Sequence, residues 1–142
     1  MKKIIALSFA FVVLAACSSD DSPSSTQNYS QLILGKWYFV ESTYDGIAVP
    51  YEHDCPANRD YEEFTSDGVG KYVGHNTECE VDEEESGLYE IEGNILKIID
   101  TSEFPLNAEY TITTLDEEEL VLKLTINEPE GQMVEVSKYS KI

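Results

Sequence analysis

Basic residues are scarce in this chain. Nine Lys and Arg stand against 28 Asp and Glu, and the formal net charge is −19. Contact with nucleic acid or with an anionic lipid surface depends on patches of positive charge. The shortage therefore argues against both kinds of partner, and it favours solubility and cationic partners.

Motifs for catalysis and metal binding are also missing. The chain has no Gly-x-Ser-x-Gly elbow, no His-Glu-x-x-His pair and no glycine loop that would hold a phosphate. Acidic runs occur at 78–85 and 116–119, but neither has the Asp-x-Asp-x-Asp-Gly spacing of a calcium loop, so we expect solvated loops. The sequence predicts a protein that is not an enzyme and that uses no cofactor and no metal.

Residues 4–16 are apolar except for Ser8, and they directly follow Lys2 and Lys3 near the start of the chain. A membrane-spanning helix needs about 20 apolar residues, so this run is too short to be one. A positive start, a short apolar stretch and small residues at its end are typical of a secretory signal. The run therefore predicts export.

Residues 14–17 read Leu-Ala-Ala-Cys, which resembles the lipobox of bacterial lipoproteins. The resemblance implies a signal peptide at 1–16 that is cut before Cys17, whose thiol then carries a diacylglycerol. Residues 18–28 have no large apolar side chain to bury, so we expect a flexible tether over 17–29. The expected location is the outer membrane, at its periplasmic face or on the cell surface, with a monomeric domain held there by the lipid.

Three cysteines occur in the chain, and lipidation of Cys17 leaves Cys55 and Cys79. Export places these two in an oxidising compartment, where spare thiols pair, so we predict a disulfide. Closing a loop of this length stabilises a fold by about 3–4 kcal/mol in the chain-entropy model. The alternative is a zinc site, because His53 and His75 lie near the cysteines and two His with two Cys suit tetrahedral zinc.

Beyond residue 30, apolar residues recur mostly at every second position between turn signals, as Leu120, Leu122 and Leu124 do. This alternation predicts short antiparallel strands, after a possible helical turn at 29–34. Closure of such a meander removes its exposed edges. We therefore predict an all-β domain over 30–142, an up-and-down meander of about eight strands closing into a barrel, with a β-sandwich as the alternative. The expected strands are 35–43, 46–51, 59–65, 69–75, 86–92, 95–100, 107–114, 118–126 and 132–140.

Three segments together resemble the small lipocalin-like domains of bacterial lipoproteins. Residues 32–37 read Leu-Ile-Leu-Gly-Lys-Trp, residues 64–68 read Phe-Thr-Ser-Asp-Gly, and residues 87–96 read Gly-Leu-Tyr-Glu-Ile-Glu-Gly-Asn-Ile-Leu. Members of that family begin with a Gly-x-Trp strand and continue through hairpins of the other two kinds. The resemblance implies a barrel of about eight strands without catalytic machinery. The position of Trp37 near the start of the first strand suits a large ring that closes the bottom of the barrel, with ligand contact as the alternative.

The alternation of side-chain direction along each predicted strand also indicates which side chains face the barrel interior. Val134 is one of the residues that it places there. Glu62 joins this set if Phe64, two residues later, points inward. A buried carboxylate is costly unless paired, so it would meet a ligand amine or an interior Lys; the alternative is a bulge or a solvated barrel mouth. The expected ligand is a small apolar or amphipathic molecule, and the alternative function is a surface interaction or inhibitor module that presents acidic loops to a cationic partner. The predicted ligand-binding residues are Phe39, Glu62, Phe64, Tyr89, Ile91, Tyr110 and Leu122.

Overall fold

A computed structural model describes residues 28–99, 107–129 and 131–141. The predicted signal peptide, the lipid site at Cys17 and nearly all of the tether lie outside the described residues. Within the described ranges no helix has the length and apolar character needed to span a membrane. One short helix, α1 (Tyr29–Leu32), precedes the strands, which are β1 (Gly35–Tyr44), β2 (Ile47–Pro50), β3 (Tyr61–Phe64), β4 (Val69–His75), β5 (Val81–Glu92), β6 (Ile95–Ile99), β7 (Ala108–Leu115), β8 (Glu119–Glu128) and β9 (Gly131–Ser140).

The strands form one antiparallel sheet that closes on itself. Its order is β2-β1-β3-β4-β5-β6-β7-β8-β9, and β1 also pairs with β9. The first half of β1 pairs with β3, while its second half pairs with β2. Because β9 runs along β1 on the other side, eight strands make the barrel and β2 is an added strand at its rim. This closure confirms the predicted barrel and rules out the β-sandwich.

Strand β5 is longer than the sequence predicted. It begins at Val81 rather than at residue 86, and its first part pairs with β4, where Glu85 lies opposite Tyr72. Residues 81–86 are nevertheless exposed. The expectation of a solvated loop over 78–85 is therefore wrong for most of that run, because strand pairing with β4 orders it without burying either face. The second run, at 116–119, does form the turn before β8, with only Glu119 inside the strand.

The side chain of Trp37 closes one end of the barrel. Its ring is fully buried, and its Nε1–H donates a hydrogen bond to the carbonyl of Ile33. The Nζ atom of Lys141 lies 4.3 Å from the centroid of the Trp37 ring and donates to the carbonyl of Leu32 at 3.0 Å. The last residues of the chain thus hold α1 and β1 together. The buried cluster above this end comprises Ile33, Trp37, Phe64, Leu96, Ile112, Leu115, Leu120, Leu122 and Tyr139.

A disulfide links the segment between β2 and β3 to the turn between β4 and β5. Cys55 and Cys79 are bonded, with their Cα atoms 5.1 Å apart, which confirms the predicted pair. The alternative zinc site is therefore wrong, because both thiols are used in the disulfide. Within the described ranges, no group of three or more His, Cys, Asp or Glu side chains is arranged to hold a metal.

The buried Asp60 holds the segment between β2 and β3 in place through hydrogen bonds. Its carboxylate accepts hydrogen bonds from the Tyr51 hydroxyl at 2.8 Å and from the His75 backbone N–H at 2.7 Å. The backbone N–H of Asp60 donates to Nδ1 of His53 at 3.0 Å, and Nε2 of His53 lies 2.9 Å from the carbonyl oxygen of Phe39. Since Nδ1 accepts, Nε2 carries the proton and donates. These bonds satisfy buried polar groups and hold the segment 51–60 beside β1.

Candidate functional site

Two cavities lie inside the barrel wall, and both border Glu62 and Tyr110. The first, here called the apolar cavity, has a volume of about 530 Å³ and lies between β3 and β8. The second, here called the aromatic cavity, has a volume of about 450 Å³ and lies beneath β2 and the start of the segment 51–60. Side chains therefore do not fill the barrel interior completely, and the unfilled space is divided into two cavities.

Aliphatic and aromatic side chains from five strands line the apolar cavity, and Tyr72 on β4 is one of them. Cross-strand pairing sets their direction: Leu96 lies opposite Tyr110, so both face the same side of the sheet. Gly70 leaves room here, since a Cβ atom at that position would lie 3.5 Å from the Phe64 ring. Polar groups stand at the edge of the cavity near Lys71, Glu85 and Ser86. The lining residues on the apolar side are Phe64, Leu96, Ile98, Tyr110 and Leu122.

Ring stacking shapes the aromatic cavity. The Phe39 ring stacks on Tyr51, with centroids 4.9 Å apart, and it contacts the Tyr139 ring at 4.5 Å. Tyr72 meets Phe39 edge-on at 5.9 Å. Such pairs are worth about 0.5–1.5 kcal/mol each beyond their area burial. The result is a stiff wall of rings with hydroxyl groups among them.

Glu62 stands where the two cavities meet. It is the second residue of β3, and because side chains alternate along a strand it points inward while Glu63 points outward. The Tyr139 hydroxyl donates a hydrogen bond to Oε1 of Glu62 at 3.2 Å. Burial raises the pKa of Glu62 to about 7, and the Tyr139 hydrogen bond opposes that rise. Desolvation disfavours the charged form of a carboxyl group, so the carboxylate is held ionised at a cost in free energy.

The tyrosines around Glu62 keep their protons over the physiological range. Burial raises the pKa of Tyr110 to about 12, with smaller contributions from the negative charges of Glu62 and Glu135. Burial, followed by the charge of Glu62, also raises the pKa of Tyr139 well above its ordinary value. Each phenol is therefore a neutral group that can donate one hydrogen bond and accept others.

Every basic residue after the predicted signal lies in the part of the chain that the structure describes, and of these residues only Lys71 borders one of the two cavities. Lys71 pairs with Glu84 at 2.9 Å and Lys97 with Glu92 at 2.7 Å. Lys123 alternates with Leu122 and so points away from the interior. The other contacts are Lys36 over the Tyr61 ring, Arg59 over the Tyr38 ring, Lys138 with Glu119, and Lys141 over the Trp37 ring.

The structure separates the seven predicted ligand-binding residues into two groups. Five of them line a cavity: Phe39, Glu62, Phe64, Tyr110 and Leu122. Tyr89 and Ile91 instead pack against the buried cluster. The Tyr89 ring lies edge-on to Phe64 at 5.1 Å, and its hydroxyl donates to the Thr65 carbonyl at 2.9 Å. Binding of a ligand by any of these residues stays a prediction.

Sequence reasoning placed Val134 inside the barrel, and the register of β9 shows that this is wrong. Glu135 lies opposite Leu124, and Ser137 lies opposite the buried Leu122. Glu135 and Ser137 therefore face inward, whereas Val134 faces outward. Tyr139 follows on the inner face and was also missed. Glu135, Ser137 and Tyr139 occur at every second position, so alternation does place them on one face of β9. Both faces of this strand carry apolar side chains, however, and alternation alone therefore did not show which face is inside.

The barrel is similar to those of known proteins in sequence pattern and in fold. Residues 33–122 match the family described as the lipocalin-like domain. Lobster apocrustacyanin A1 is 20% identical at a TM-score of 0.56, covering 84% of this chain and 64% of its own. Apocrustacyanin C1 is 19% identical at a TM-score of 0.57, covering 83% and 66%. The chain thus spans less than two thirds of either structure, and at these identities the likeness shows the fold alone. No curated protein matches the chain significantly in sequence.

Proposed function

Because the chain belongs to the lipocalin-like domain family, we propose that its barrel binds a small apolar or amphipathic molecule. The observation that carries this proposal is the apolar cavity, whose volume of about 530 Å³ lies against the inner face of the barrel and opens to solvent beside Glu85 and Ser86. Cavities of about 300–1,000 Å³ lined mainly by apolar groups are typical of small-molecule sites. Burial of an apolar ligand there contributes about 25 cal/mol for each Å² removed from water.

Attachment to the outer membrane through a lipid on Cys17 belongs to the same proposal. It is supported by the lipobox resemblance of residues 14–17 and by the short apolar run that precedes them. Two or more acyl chains make a lasting anchor, whereas one holds only marginally. The domain would then present its cavities close to a membrane, as a binding protein without a catalytic step.

The experiment uses the mature chain, residues 17–142, with Cys17→Ala so that neither lipid nor detergent competes for the cavity. The neutral dye N-phenyl-1-naphthylamine becomes fluorescent on entering an apolar site and serves as the probe. Ile98→Trp should fill the apolar cavity, since Ile98 lines it, and should weaken dye binding roughly tenfold or more. Ile99→Trp is the matched control, because Ile99 lies opposite the exposed Leu88 on the outer face.

Saturable dye binding that Ile98→Trp weakens and Ile99→Trp leaves unchanged supports the proposal. Absence of dye binding, or equal loss in both variants, overturns it. Salt-sensitive binding of a basic protein such as lysozyme, in a chain that takes up no dye, would favour the interaction module instead.

A further inference from the structure

An apolar ligand gives no reason for the carboxylate of Glu62. Burying an ionised carboxylate costs free energy unless a partner compensates it. Within the described residues, the hydrogen bond recorded for this carboxylate is the one from the Tyr139 hydroxyl, which is neutral. One neutral donor at 3.2 Å leaves most of the acceptor capacity of a carboxylate unused.

Two further carboxylates stand near Glu62, and the one basic residue at the cavities is already paired. Glu135 on β9 lines the aromatic cavity, and Glu85 on β5, opposite Tyr72, stands at the edge of the apolar cavity. Lys71 also borders the apolar cavity, but its Nζ is paired with Glu84. The interior Lys expected as one partner of Glu62 is therefore absent from the described residues. A ligand amine, or solvent at the mouth of the barrel, is what remains to compensate the carboxylate.

The remaining groups that face Glu62 can also accept hydrogen bonds. Tyr72 on β4 lies opposite Glu62, Tyr110 lines the same two cavities, and Tyr139 is bonded to its carboxylate. Phenol oxygens accept from N–H donors, and aromatic faces attract cations within about 6 Å. A group with several N–H donors and a positive charge would satisfy the carboxylate and these oxygens together.

We propose that the ligand is a cationic amphiphile, whose primary ammonium group binds Glu62 among Tyr72, Tyr110 and Tyr139 while its apolar chain lies along Phe64, Leu96 and Leu122. This inference rests on the proposed function, because it assigns the polar end of the molecule that the apolar cavity receives. A charge-assisted hydrogen bond between ammonium and carboxylate is about twice as strong as a neutral one. An anionic head group would instead meet three carboxylates.

Three probes with the same apolar chain and different head groups test this proposal: decylamine, decanol and decanoate. Each displaces N-phenyl-1-naphthylamine from the mature Cys17→Ala chain at pH 8, where Glu62 is mainly ionised. We expect decylamine to bind at least about tenfold more tightly than decanol, and decanoate to bind more weakly than decanol.

Two single-charge variants separate the site from the general acidity of the protein. Glu62→Gln should remove the preference for decylamine and leave decanol binding within about twofold. Glu63→Gln removes the same charge from the neighbour on the opposite face of β3, which lines neither cavity, so it should keep the preference.

The outcomes distinguish this inference from the proposed function. Equal binding of decylamine and decanol, or an amine preference that survives Glu62→Gln, overturns the cationic head group while the apolar site stands. An amine preference that Glu63→Gln reduces as much as Glu62→Gln does also overturns it, because the net charge would then be the cause. If the dye and all three probes fail to bind, the proposed function itself fails.

Discussion

Glu62→Gln should make the empty protein more stable at pH 8. The pKa of Glu62 is raised from 4.5 to about 7 by burial, and each pKa unit corresponds to about 1.4 kcal/mol of preference for the neutral form. The free energy spent on holding the ionised form in the fold is therefore at most about 3.5 kcal/mol. Gln carries no charge and its Oε1 can still accept the Tyr139 hydrogen bond, so we expect a gain of about 1–3 kcal/mol.

The sign of the pH dependence follows from the raised pKa. Between pH 4.5 and about 7 the folded protein holds the Glu62 proton and the unfolded chain does not, so the wild-type protein loses stability as the pH rises through this window. Tyr72, Tyr110, Tyr139, Glu85 and Glu135 face the same site and are present in both proteins. Their effects largely cancel when the variant is compared with wild type at each pH.

Urea unfolding at several pH values between 5 and 8, with the disulfide kept intact, measures this difference. The advantage of Glu62→Gln should grow with pH and level off above about pH 7. Glu63→Gln is the control, since its side chain points outward, and it should stay within about 0.5 kcal/mol of wild type throughout. A difference between Glu62→Gln and wild type that does not change with pH, or a loss of stability at pH 8, would refute the reasoning.

Two further predictions concern the ends of the chain. Lys141→Met removes the cation over the Trp37 ring and the hydrogen bond to Leu32, so the free energy of unfolding in urea should fall by about 1–2 kcal/mol. Lys123→Met on the outer face is the control and should lower it by less than about 0.5 kcal/mol. Equal effects of the two substitutions would contradict this role of Lys141. Cys17→Ala in the full-length chain should abolish partitioning into the detergent phase of a cell extract or leave the chain unprocessed, and continued partitioning of a processed chain would disprove the lipid anchor.

Most of the barrel could be predicted because its signals are local. Leu120, Leu122 and Leu124 alternate with polar or smaller residues, and Gly93-Asn94 supplies the turn between β5 and β6. A period of two in side-chain direction is a property of the strand itself, so it can be seen without knowing the partner strand. The start of β5 was missed for the opposite reason, since residues 81–86 are exposed and carry no apolar alternation.

The candidate site was only partly predictable. The placement of Glu62 beside Phe64 on one face follows from spacing, but its contact with Tyr139 joins residues 77 positions apart in sequence. Alternation states which residues share a face and does not state which face is inside. Val134 was assigned to the wrong face for this reason, and Glu135 was missed with it.

The sequence by itself determined most of the strand pattern and the acidic net charge of the chain, and it predicted the pairing of Cys55 with Cys79, because each depends on residue type and local spacing. The tertiary structure alone decided that β9 closes the sheet against β1, that no basic side chain of the described residues is paired with Glu62, and that Glu62 borders both cavities. Register between distant strands is set by the packing of the whole barrel, and a shift of one residue would reverse every side chain. The chemistry of the site therefore appears only when the barrel is closed.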